Sequence, residues 1–181
     1  GDQFTYHHRV VSYVEHVVAS RSNVTLQQYG KTYEQRPLLV AIVSSPENMA
    51  NLEQIRRDNL KRAGMLKGKP SGRKVGIVWL SYNVHGNEAN STEAAMKTLH
   101  ALADPTNRDT QKWLENTVVI LDPCINPDGR DRYTHWFRMT GNRWPDVDPV
   151  SREHMEPWPG GRTNHYYFDL NRDWAWQTQT E

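Results

Sequence analysis

The pattern that most constrains this chain is the alternation of short apolar, β-branched runs with helical stripes. Three runs are nearly continuous: Leu38-Leu39-Val40-Ala41-Ile42-Val43, Val75-Gly76-Ile77-Val78-Trp79-Leu80 and Val118-Val119-Ile120-Leu121. Runs of roughly four to eight such residues, bounded by turn residues, read as buried strands. Between them apolar residues recur at helical spacing. Val10, Val14, Val17 and Val18 mark a helix over about residues 5–19, and Ala95, Met96, Leu99 and Leu102 mark another that opens at Asn90-Ser91-Thr92-Glu93. Ser45-Pro46-Glu47 has a capping hydroxyl and a first-turn proline, which predicts a helix to about Arg62, and Arg108 to Glu115 predicts a shorter one. Val24–Tyr33 and Pro37–Ser44 are joined by Glu34-Gln35-Arg36, a link short enough for a hairpin. A hairpin followed by strands alternating with helices predicts a layered α/β fold with a mixed sheet.

Composition bears on partners more than on fold. Lys plus Arg is 22 and Asp plus Glu is 21, a formal charge of +1, and so balanced a total argues against nucleic-acid or membrane-surface binding. No apolar run of about 18 residues is present, so no membrane span is expected. Gly1-Asp2-Gln3-Phe4 is not a signal peptide. The hydrophobic fraction of 36% and mean hydropathy of -0.84 are low, as expected if part of the core lies outside this chain. The single cysteine, Cys124, sits in an apolar run and reads as a buried structural thiol. After Arg130 the chain turns Trp-, Pro- and Gly-rich. Five of the seven tryptophans fall between Trp136 and Trp176, and the stretch from Trp144-Pro145 through Gly160-Gly161 reads as a long ordered loop.

In α/β sheets, sites form at the carboxyl ends of strands. Two such places hold unusual polar residues. After Tyr82 comes His85-Gly86-Asn87-Glu88. Zinc takes imidazole nitrogen and carboxylate oxygen, and a His-x-x-Glu spacing lets both converge from one turn of backbone, with Gly86 permitting the bend. After Ile125 comes Asn126-Pro127-Asp128-Gly129, a turn signature that sets the path of an Arg-rich segment: Arg130, Arg132, Arg138 and Arg143. An arginine there could stabilise an oxyanion, although each one alone reads equally well as solvated surface charge. Further on, Asp169-Leu170-Asn171-Arg172 pairs amide and guanidinium donors that suit a free peptide carboxylate, with an upstream Asp able to accept the free ring N–H of a metal-bound His. Taken alone, this cluster reads more readily as a surface salt-bridge group.

The three motifs in this order resemble the zinc carboxypeptidase family of the funnelin type. Arg36-Pro37-Leu38, Ser44-Ser45-Pro46-Glu47-Asn48 and Asp169 through Trp174 are similar to a bacterial branch of it, and the resemblance covers essentially the whole chain. It implies a three-layer α/β/α fold with a mixed, mainly parallel twisted sheet, incomplete here, with residues 1–181 forming the N-terminal portion of a single catalytic domain. It implies Zn2+ as cofactor, His85 and Glu88 as ligands and Asp169 as the partner of His85. Asn171 and Arg172 would grip the carboxylate of a peptide substrate. The oxyanion arginine is assigned to Arg138, on the loose match of Trp136-Phe137-Arg138-Met139-Thr140, with Arg132 and Arg143 as alternatives. The implied reaction is hydrolysis of the C-terminal peptide bond by metal-activated water, in a secreted or periplasmic protein. The third ligand, a His, and the general-base Glu are expected beyond residue 181. His135, His154 and His165 are the in-chain alternatives for the ligand. Two other functions share these residues: a deacylase or amidase acting on small amidated amino acids, and a non-catalytic binding domain of the same fold.

Overall fold

The structure is a computed structural model that describes residues 3–181. Strands β1 (Val24–Lys31), β2 (Pro37–Val43), β3 (Gly76–Ser81) and β4 (Thr117–Asp122) form one sheet in the order β1-β2-β4-β3. The short link after β1 produces the expected hairpin, with Val24 opposite Val43 and Lys31 opposite Pro37. β2 and β4 are antiparallel, while β3 and β4 run parallel from Gly76 beside Thr117 to Ser81 beside Asp122. A parallel pair needs a crossover, and helices α4 (Asn90–Ala103) and α5 (Arg108–Leu114) provide it.

Side chains alternate between the sheet faces, and both faces are covered. On one, α1 (His7–Ser20) and α4 bring Val14, Val17, Ala95, Leu99 and Leu102 against Val24, Ala41, Val43, Val119 and Leu121. On the other, α3 (Leu52–Arg62) sets Leu52 and Ile55 against Ile42, Val75 and Val118. The result is the three-layer arrangement. Cys124 is buried, and burial pushes its thiol up to about 12, so it is inert at neutral pH. No helix among the described residues is long and apolar enough to cross a membrane.

Three local expectations change. The helix expected from Pro46 to Arg62 is broken into α2 (Pro46–Met49) and α3. Asn48 is fully buried there, and its amide donates to the carbonyls of Leu114 and Glu115. Asn51 then leaves the helical backbone, at φ -124° and ψ 21°. The run around Val78 forms a strand but not a buried one: Ile77, Val78 and Trp79 are 40%, 43% and 63% exposed, because β3 lies at the edge of the described sheet. An apolar run marks a strand without stating how many neighbours it has. Finally, Asn126-Pro127-Asp128-Gly129 is not an isolated turn. It opens α6 (Pro127–Thr140), so the irregular Trp-rich segment begins at Gly141.

The start of α1 carries a pH-sensitive contact. His7 is 4% exposed, its backbone N–H donates to Asp131, and its Nε2 lies 3.3 Å from the Pro37 carbonyl, while Nδ1 has no partner among the described residues. Burial pushes its imidazole down to about 4, against the pull of Asp131 and with help from Arg36 and Arg130. The unfolded chain therefore takes up this proton near pH 6.5 and the folded one near 4. The contribution is fully present above pH 6.5 and declines as pH falls through that window. Between pH 7 and 5 the loss is about 2 kcal/mol. Asp122, raised by burial to about 6, runs the opposite way, because the folded state holds its proton longer as pH rises. Urea unfolding at the two pH values isolates the His7 term: wild type is expected to lose about 2 kcal/mol more than His7→Gln. Equal losses would remove His7 as the source.

Candidate metal and carboxylate site

β3 ends at Ser81, and the next residues turn sharply across the top of the sheet. Asn83 sits in the left-handed region at φ 59°, which asparagine tolerates better than most residues. Its side chain organises the turn. Nδ2 donates to the carbonyls of His85 (2.6 Å) and Glu88 (3.2 Å), and Oδ1 accepts from Thr92 and from buried Arg130. Ser91 and Thr92, where α4 opens, tie its first turn to this loop. Ser91 Oγ accepts from the Asn83 N–H, and Thr92 Oγ1 donates to Asn83 and to the Pro123 carbonyl.

Within this frame the imidazole of His85 and the carboxylate of Glu88 converge. Nδ1 of His85 lies 3.0 Å from Glu88 Oε1, and its Nε2 lies 3.0 Å from Asp169 Oδ1. His85 is buried, whereas the Glu88 side chain is 60% exposed, so the pair opens to solvent on the Glu88 side. Burial alone would raise the Asp169 carboxyl. Hydrogen bonds from His85, the Asn171 N–H and Arg162 outweigh that and hold it below the usual carboxylate range. In the tautomer that donates from Nε2 to Asp169, the Nδ1 lone pair faces a carboxylate oxygen. A cation between them relieves that opposition. Two ligands at about 2.0 Å from a tetrahedral zinc stand about 3.3 Å apart, close to this spacing. The donor chemistry and geometry therefore fit a metal held by His85 Nδ1 and Glu88. Among the described residues, no three or more His, Cys, Asp or Glu side chains gather into a ligand set.

The Asn126 motif supports this loop residue by residue. Asn126 caps α6 by accepting from the Gly129 N–H, while its amide donates to the carbonyls of Val84 and Arg162. Asp128 accepts from Thr32 and Arg36 at the hairpin turn. Gly129 lies against Gly86 and Gly161, where a Cβ on any one of the three would meet backbone. Segment 156–169 is thereby clamped over the metal loop. Glu156 accepts from Asn87 at 2.9 Å and from the Gly161 N–H.

Asn171 and Arg172 follow Asp169 on a single 3-10 turn, Leu170–Arg172, capped by Asp169 itself. Both are exposed, and Arg172 has no acidic partner among the described residues. Trp174 Nε1 donates to the Asn171 Oδ1 at 3.2 Å, which turns the amide so that its NH2 group remains available. The Asn-Arg pair thus shares a turn with the residue that touches His85.

The candidate arginines lie in different places. Arg138 lies on α6, about 12 Å along the helix from Arg130. Its guanidinium donates to the Phe4 carbonyl and stacks over Tyr6 at 4.1 Å. Arg132 donates to the carbonyls of Gly160 and Asn164, and Arg143 stacks on Trp144. The arginine beside the site is Arg162, with Nε 3.1 Å from Asp169 Oδ2 and a side chain 45% exposed. The loose Trp-x-Arg match pointed away from it. Gly160-Gly161-Arg162, two glycines beside a cation nine residues before Asn171, was the available signal. The alternative ligands also lie elsewhere: His135 stacks on Tyr6, His154 meets the Asp146 carbonyl and His165 meets Glu34.

Solved structures share this fold. A carboxypeptidase A homologue from Shewanella denitrificans aligns with TM-score 0.59 at 19% identity, over 98% of this chain and 33% of its own. A metallo-carboxypeptidase from Burkholderia cenocepacia aligns at 0.55 and 17% identity, over 93% and 32%. Carboxypeptidase A from Helicoverpa armigera aligns at 0.50 and 20% identity, over 95% and 42%. The chain thus spans about a third of the length of the first of these, and identities this low speak to fold alone. A sequence model of the zinc carboxypeptidase family matches residues 10–181, and by that match the chain belongs to the zinc carboxypeptidase family.

Proposed function

We propose that this chain supplies two zinc ligands and the carboxylate clamp of a metallocarboxypeptidase that removes the last residue of a peptide. The observation that carries this reading is the meeting of His85 Nδ1 with Glu88, and of Nε2 with Asp169, one residue from an Asn-Arg pair that has no acidic partner among the described residues. Asp169 fixes the tautomer and aim of His85. Asn171 and Arg172 bind the free C-terminal carboxylate, Arg172 through its fork of donors. That contact selects a free C-terminus over an amide and places the last peptide bond above Glu88. Arg162, half-exposed beside Asp169, donates to the carbonyl oxygen as it gains charge. Zinc bound there supplies Lewis acidity and a water of lowered pKa. The remaining ligand and the general base belong to further residues of the longer protein, and residues 1–181 alone bind zinc weakly without turnover.

The test uses the full-length protein, with matched peptides ending in a carboxylate or an amide. Stoichiometric zinc, its loss in His85→Ala, and turnover of the carboxylate form alone are expected. Arg172→Met is expected to raise KM by about 10- to 100-fold. Equal turnover of the amide would transfer the site to amidase chemistry, and metal binding without turnover of either would make it a binding domain.

Arg162 and Arg138 are separable by the same assay. Arg162→Gln is expected to lower kcat by about 100- to 1,000-fold with little change in KM. Arg138→Gln is expected to leave kcat unchanged. The reverse result would restore Arg138 to the oxyanion role.

A further inference from the structure

The near-zero total charge conceals a strong local segregation. Residues 56–74 hold eight of the 22 Lys and Arg, and one acid, Asp58. The rest of the chain is left with fourteen basic and twenty acidic residues. The segment covers most of α3 and the loop into β3. Three of its cations are paired: Arg56 with Glu53, Lys61 with Asp58, and Arg73 with Glu47. Arg57, Arg62, Lys67, Lys69 and Lys74 are exposed and have no acidic partner among the described residues. Arg62 braces the loop by donating to the carbonyls of Ser71 and Arg73 and stays exposed.

The loop is shaped as well as charged. It leaves α3 through Gly64, at φ 75°, and turns again at Gly68, at φ 106°. The N–H groups of Met65 and Leu66 both return to the Leu60 carbonyl, and Lys61 Nζ donates to the Lys69 carbonyl. This bracing presents Met65 at the tip, 76% exposed, between Arg62 and Lys67. An exposed methionine in a braced loop that also carries cations without acidic partners among the described residues matches the two-part chemistry of a lipid interface, anionic headgroups above acyl chains. Residues 56–74 contain no Phe, Tyr, Trp or His, so they lack the aromatic platforms on which single-stranded bases stack.

We propose that this face docks on an anionic lipid surface, with Met65 entering the headgroup layer and Arg57, Arg62, Lys67, Lys69 and Lys74 contacting headgroup phosphates. The placement is consistent with catalysis at that surface. The loop enters β3 at its amino end, whereas His85 follows its carboxyl end, about 17 Å away along the strand. A docked molecule therefore keeps the metal site turned to solvent.

The test is co-sedimentation of the full-length protein with phosphatidylcholine vesicles, with and without phosphatidylglycerol. Binding is expected with phosphatidylglycerol alone, weakening steeply with salt. Arg57→Gln/Lys67→Gln/Lys69→Gln is expected to bind about 100-fold more weakly, at about five-fold per cation, with an unchanged melting temperature. Met65→Ser is expected to lose on the order of ten-fold without altering the salt dependence. Equal binding to both vesicles, or wild-type binding by the triple variant, would overturn the proposal. So would equally tight binding to single-stranded DNA that Met65→Ser leaves intact, because that result assigns the cations to a soluble polyanion.

Discussion

Gly86→Ala is expected to disable the metal site and destabilise the protein together. A Cβ at position 86 would overlap the backbone nitrogen of Arg130, the carbonyl carbon of Gly129 and the carbonyl oxygen of Gly161. None of these is the far end of a flexible side chain. Relief requires the His85 loop, the first turn of α6 or the clamp at Gly161 to move, and overpacking of this kind costs about 3 kcal/mol or more. Because Gly86 lies between the two proposed ligands, the strain falls on their spacing first. Urea unfolding and zinc content of the purified full-length variant would show both effects. Wild-type values for both would mean that the three-glycine contact is looser than described.

Arg130→Met is the second large effect. The Arg130 side chain is fully buried and donates to the carbonyls of Thr5 and Ala89, to Asn83 Oδ1 and to Glu93 Oε1 at 2.7 Å. Methionine fills similar volume but takes the guanidinium away from Glu93, which keeps the Thr5 N–H and hydroxyl, from Asn83 Oδ1, which keeps Thr92, and from the Thr5 and Ala89 carbonyls. Removing one partner of a fully buried pair costs about 3–5 kcal/mol; the Glu93 side chain is 27% exposed and keeps its two Thr5 donors, so about 2–3 kcal/mol is expected here. Much of that cost is the stranded charge, so Arg130→Met/Glu93→Gln is expected to recover part of it by the same unfolding measurement. Arg130 also holds Asn83, whose amide fixes the His85 and Glu88 carbonyls. Zinc affinity is therefore expected to fall in the single variant even below its melting temperature. A double variant no more stable than the single one would refute the stranded-charge account.

These two effects divide what was legible in the sequence from what was not. The apolar runs at Leu38 and Val118 read correctly as strands because burial on both faces leaves a local signature. The helices near Val14 and Leu99 read correctly because their stripes repeat at helical spacing. The run at Val78 read as buried, yet it lies exposed at the sheet edge, because the same residues suit either place. The motif at Asn126 read as a turn, although its Asn, Pro, Asp and Gly form the cap and first turn of α6. Turn residues and helix-start residues are the same types.

The sequence by itself determined the layered α/β class, the pairing of His85 with Glu88 at a strand end, and the nearness of Asp169 to an Asn-Arg pair. Each depends on residues within a few positions of one another, where backbone geometry leaves little choice. The family resemblance implied Asp169 as the partner of His85, and the fold brings the two to 3.0 Å across 84 positions; the tertiary structure alone decided that Arg162 rather than Arg138 stands beside them, and that Arg130 is the buried strut beneath the site. Contacts between distant segments are set by how helices and loops pack on the sheet, and that packing leaves no periodic or local mark in the order of residues.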